Sequence, residues 1–143
     1  LALHFMKQLD RTSAGWAGLV GASLAILGGV MLAADKGALC LTMSALDTLP
    51  ESAFSLMMPG LLTMFSFKGW MVVVWGFLFL PIGFAIQTLA LLKTKALPRW
   101  QAVLFLIGVL LVGFPDGAEI INLTASIMMA VALVPYGMRM LIA

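Results

Sequence analysis

Long uncharged runs broken by short charged segments set the pattern of this chain. The first run, residues 14–34, lies between Arg11 and Asp35. Its 21 residues reach about 31 Å at 1.5 Å per helical residue, the thickness of a bilayer's hydrocarbon core. A second run, residues 69–92, lies between Lys68 and Lys93, and residues 99–115 and 118–138 form two further apolar segments, with Arg99 and Glu119 near their starts. This spacing predicts an all-α integral membrane protein, a four-transmembrane-helix bundle forming a single membrane domain over residues 1–143. Ser13 is the expected N-cap of the first span. Small residues recur along that span at Gly15, Gly18, Ala22, Ala25, Gly29 and Ala33, three and four apart, which predicts a face that another helix approaches closely. In the second span Gly76, Gly83, Gln87 and Ala90 share a face, and Pro81 is placed to kink the helix.

Residues 35–68 read as a long outer loop with two apolar stretches, 37–46 and 52–67, neither of which comfortably spans a membrane. Thr48 and Glu51 have the spacing of a capping box that opens a short helix, and Pro59-Gly60 is expected to break it. The loop is rich in Met and Phe, so short helices lying in the membrane interface are expected, with a re-entrant loop as the rival arrangement. Met6-Lys7-Gln8 reads as a natural start. Residues 1–5 are accordingly set aside as a cloning remnant or a piece of a longer sequence, and His4 with them. The first apolar run exceeds the ~7–15 residues of a signal-peptide core and is read as a retained helix.

Composition supports the membrane reading. The chain is 63% hydrophobic and 10% charged, against roughly 25% charged residues in a soluble domain. One cysteine, Cys40, excludes an intrachain disulfide, and one histidine excludes a Cys/His metal cluster or a haem held by two histidines. No cofactor or metal is expected. A net charge of +2 without a basic run excludes a nucleic-acid partner.

Charge placement sets the orientation. Four crossings put Lys7, Arg11, Lys93, Lys95, Arg99 and Arg139 on one side with Asp10. Lys36 and Lys68 fall on the other, with Asp35, Asp47, Glu51, Asp116 and Glu119. Six basic residues against two predict N- and C-termini in the cytoplasm, in a bacterial cytoplasmic (inner) membrane.

The candidate chemistry lies at the tight turn before the fourth span. Asp116 and Glu119 stand there, and Glu119, Asn122, Ser126, Ala130 and Gly137 fall on one helix face expected to point inward. Gln87 could meet Asn122 across the second and fourth spans. The plainer reading makes Asp116 an N-cap, Glu119 its capping-box partner, and Asn122, Ser126 and Gln87 interhelical hydrogen-bonding groups. Met57-Met58 and Met128-Met129 read as apolar filler, and Tyr136 and Trp100 as interfacial anchors. There is no Ser-His-Asp set, P-loop or dinucleotide fingerprint, which points away from an enzyme. Drug-efflux proteins of four short helices carry a central Glu in their first span, and this first span has no charge.

Two functions follow. The first is a polytopic protein acting through helix–helix contacts, as an accessory subunit, assembly partner or homo-oligomer. The alternative is binding or transport of a lipid, another apolar ligand or a cation through a pocket under the outer loop near Glu119, Asn122 and Gln87.

Overall fold

A computed structural model describes residues 1–64, 70–112 and 119–142. Their regular structure is entirely helical: α1 (Ala2–Asp10), α2 (Gly15–Leu46), α3 (Glu51–Met64), α4 (Trp70–Lys93), α5 (Arg99–Val112) and α6 (Glu119–Ile142). Three segments are long and apolar enough to cross a membrane, Gly15–Leu46, Trp75–Lys93 and Ile120–Arg139. The expected four is thus corrected to three among the described residues. The described part of the third expected span, α5, has 14 residues, about 21 Å of helix against a hydrocarbon core of ~30 Å.

The most extensive interface joins α2 and α4, packed antiparallel. Glycines carry it because they let two backbones approach. A Cβ added at Gly28 would overlap the backbone of Leu80, and one at Gly83 would overlap the backbone of Ala25 and stand 2.6 Å from the Gly21 carbonyl oxygen. Here membrane-type packing depends on the missing side chain. The expected seam holds at Gly18, Ala22 and Ala25, and then passes through Gly28 instead of Gly29, with Ala33 exposed. The contact positions Gly18, Gly21, Ala25 and Gly28 alternate three and four apart, the 3.5-residue repeat of helices that wind around each other, whereas the expected positions followed the 3.6-residue period of a straight helix, which accounts for the shift. Helices α4 and α5 pack together, as do α5 and α6, with Gly108 against Ala125 and Met129.

Four local expectations are revised. The helix begun at Gly15 runs past Asp35 and Lys36 to Leu46, so residues 37–46 extend α2 and are not part of a loop. Two charges side by side interrupt hydropathy without interrupting backbone hydrogen bonding. Helix α3 does start at Glu51, but the Thr48 hydroxyl donates to the Ala45 carbonyl (2.7 Å) at the end of α2, and so forms no capping box. Pro59 lies inside α3, which continues to Met64. Nor does Ser13 cap α2. The Thr12 hydroxyl accepts from the Ala14 amide (3.1 Å) and donates to the Leu9 carbonyl (2.7 Å), linking α1 to α2.

The element missed altogether is α1. It folds back along the start of α2, and Ala2, Phe5 and Leu9 are buried. Residues 1–5, set aside on sequence, therefore pack as part of the bundle. Helix α4 ends in a Schellman motif: the Ala96 amide donates to the Leu91 carbonyl (3.1 Å) and the Lys95 amide to the Leu92 carbonyl (3.3 Å). Lys95 takes the left-handed position (φ 56°) that glycine usually fills, which keeps a cation in the turn.

The α2–α4 contact yields a direct test. Gly83→Leu is expected to destabilise the protein by about 1–3 kcal/mol in detergent unfolding, because the added atoms meet backbone. Gly37→Ala, whose Cβ would meet nothing within 4 Å, should be neutral or stabilising. Equal effects of the two would contradict the packing described.

Candidate functional site

Among the apolar helices two glutamines are fully buried, Gln87 on α4 and Gln101 on α5. The Gln87 amide nitrogen donates to the carbonyls of Ala2 (2.9 Å) and Gly18 (3.1 Å). One side chain thus ties α4 to both α1 and α2. Gln101 has no hydrogen-bond partner at either amide atom among the described residues. Nothing in the structure explains that cost.

Nearer the basic end of the bundle a polar chain joins α1 to α6. The Tyr136 hydroxyl donates to Gln8 Oε1 (2.7 Å) and lies 2.8 Å from His4 Nε2, and Gln8 Nε2 donates to the Ala96 carbonyl (3.3 Å). Because the hydroxyl's proton goes to Gln8, His4 Nε2 carries the proton in its bond to Tyr136. Tyr136 is therefore a partner in a hydrogen-bonded network rather than a simple anchor. His4, discounted on sequence, belongs to it. An open cup of about 400 Å³ is lined by His4, Lys7, Gln8 and Tyr136.

Above α1, toward the middle of the bundle, three aromatic rings stand edge to face. Phe5 and Phe105 have centroids 5.9 Å apart, and Phe84 and Phe105 5.6 Å. They brace α1, α4 and α5 around a crevice of about 300 Å³. Leu80, Pro81 and Phe84 of α4 form one wall, and Met129, Ala130 and Leu133 of α6 form another. Phe105, Val109 and Val112 of α5 lie between them, and Leu1 meets the crevice from α1. No polar surface lines it. The cause is the connectivity of the packing. Helix α5 contacts both α4 and α6, while α4 and α6 share no extensive interface among the described residues, so the space between them is left unfilled.

The residues singled out on sequence do not converge on this crevice. Gln87 points inward as expected, but its partners are in α1 and α2, and Asn122 is exposed. Ser126 is exposed too, and its hydroxyl donates to the Asn122 carbonyl one turn earlier (2.8 Å). Of the face expected to turn inward, Asn122 and Ser126 turn outward and Ala130 lies exposed at the crevice rim, while Ala125 and Ala132 are the buried residues of α6. Small size on both faces of α6 hid the choice, since Ala125 and Ala132 allow closer approach than the polar stripe does. Asp116 and the side chain of Glu119 lie outside the described residues; the Glu119 backbone opens α6. Among the described residues no cluster of three or more His, Cys, Asp or Glu side chains could hold a metal ion. Cys40 is exposed. The Ala2–Phe5–Leu9 spacing, three and then four residues, is the sequence signal that could have revealed α1.

Comparisons with family models, with curated proteins and with solved structures found no match to this chain.

The two glutamines should respond oppositely to the same substitution. Gln87→Leu removes two interhelical hydrogen bonds and should lower stability by about 1–2 kcal/mol. Gln101→Leu replaces an unpaired amide and should be neutral or stabilising. A marked loss on Gln101→Leu in detergent unfolding would mean that this amide has a polar role.

Proposed function

We propose that this chain is a non-catalytic membrane protein that holds an apolar chain in the crevice between α4, α5 and α6. The observation that carries this is a crevice without polar lining, walled by helices of which α4 and α6 are long and apolar enough to cross a membrane. An apolar pocket with no convergent polar group selects for shape and hydrophobicity and offers no chemistry to a reacting atom. In a bilayer the ligand most available to it is a hydrocarbon chain. We further place the protein in a bacterial cytoplasmic membrane with both termini inside: α5, though shorter than the bilayer core, returns the chain between α4 and α6, so that the basic residues near the ends of α1, α4 and α6 and at the start of α5 gather at one end.

A second reading, contact with another membrane protein, is favoured by a different observation. Helix α2 has 32 residues, about 48 Å, and exceeds the bilayer core by more than ten residues. Leu41 on that extension and Leu56 on α3 are 76% and 84% exposed, and α3 has no extensive interface with any other helix among the described residues. Such surfaces suit an accessory subunit or a homo-oligomer. A stoichiometric second protein retained on extraction in native lipid would support this reading, and a lone monomer would count against it.

Photolabelling tests the crevice. A lipid bearing a diazirine on its acyl chain should mark Val109 and Met129 as well as the outward Leu110 and Ile127. Labelling confined to the outward pair would remove the proposed site.

A further inference from the structure

The crevice and the cup share two walls. On α1, Leu1 meets the crevice while His4 and Gln8, three and seven residues on, line the cup. On α6, Met129 and Leu133 line the crevice, and Tyr136, three residues on and about 4.5 Å further along the axis, lines the cup. Polarity therefore changes from wholly apolar to hydrogen-bonding and cationic within about one helical turn, along a single α1–α6 strip.

We propose that crevice and cup form one groove for an anionic phospholipid, with one acyl chain in the crevice and the phosphate at Lys7. This rests on the chain-binding reading of the crevice and adds the head group. Charge complementarity selects it. In the cup, the Tyr136 hydroxyl proton is committed to Gln8, and Lys7 is exposed with no ion pair among the described residues. Arg11, Lys93, Lys95, Arg99 and Arg139 lie at the same end, where Asp10 is the one acidic side chain among the described residues. A zwitterionic head group gains little from such a field, whereas an anionic one gains from each nearby cation. The Tyr136–Gln8–His4 chain positions α1 against α6 and so holds the two halves of the groove in register.

The test is native mass spectrometry of the full chain, delipidated and then offered 1-palmitoyl-2-oleoyl phosphatidylglycerol or the matching phosphatidylcholine. Phosphatidylglycerol should be retained one to one and several-fold better. Lys7→Gln should cut its retention about fivefold and leave phosphatidylcholine unchanged. Ala130→Trp, at an exposed position on the crevice rim, should abolish retention of both lipids, and Val112→Trp repeats the block from α5 should the first variant fold poorly. Equal retention of the two lipids, lost on Ala130→Trp, would overturn the head-group assignment and leave the chain-binding reading standing. A phosphatidylglycerol preference that survives Lys7→Gln would overturn the cup as the phosphate site. Retention unaffected by either crevice-filling variant would overturn both.

Discussion

Backbone-to-backbone contact between α2 and α4 is the constraint on which the rest of the structure depends. Gly21 and Gly28 on one helix and Gly76 and Gly83 on the other remove the side chains that would hold the axes apart. In the membrane setting proposed here, lipid supplies no hydrophobic drive between apolar helices, so closeness of packing has to supply the association instead. With α4 drawn against α2, Gln87 comes within reach of the Gly18 carbonyl and of Ala2, and the short α1 is fixed in the angle between them. Helix α5 then takes the other side of α4, and α6 the far side of α5. The crevice is what remains when four helices are arranged in a row around a fifth that is only nine residues long.

How much of this was legible depended on what each residue's neighbours could hide. Helical content, the basic end and the inward direction of Gln87 followed from hydropathy, charge and spacing. The small-residue seam was legible for its first three turns, until the 3.5-residue repeat of the α2–α4 contact carried it from Gly29 to Gly28. Helix α1 escaped because nine residues containing a histidine, a lysine and an aspartate resemble a polar leader more than a packing element. The outer half of α2 escaped because Asp35-Lys36 breaks a hydropathy window but not a helix.

The candidate site was less legible than the fold, for a physical reason. Attention to polar residues selects positions such as Asn122 and Ser126, yet the crevice is defined by the absence of polar groups and by a gap between α4 and α6. Leu80, Met129 and Leu133 look like any other apolar residues along a span. What distinguishes them is which helices fail to meet, a property of tertiary packing that no local pattern carries. The polar end of the groove was obscured in turn by the discounting of His4, whose partner Tyr136 lies 132 residues away.

The account turns on α1 folding back along α2 to close the basic end of the crevice, and disulfide trapping measures that directly. With Cys40→Ser as background, Ala2→Cys and Ala22→Cys place thiols on two residues of one buried cluster. Mild oxidation in membranes should give rapid, nearly complete intrachain crosslinking, and pairing Ala2→Cys with a cysteine at the exposed Ala33 should give none. Failure of the Ala2–Ala22 pair to form while the Ala2–Ala33 pair does would contradict the placement of α1 and the groove built upon it.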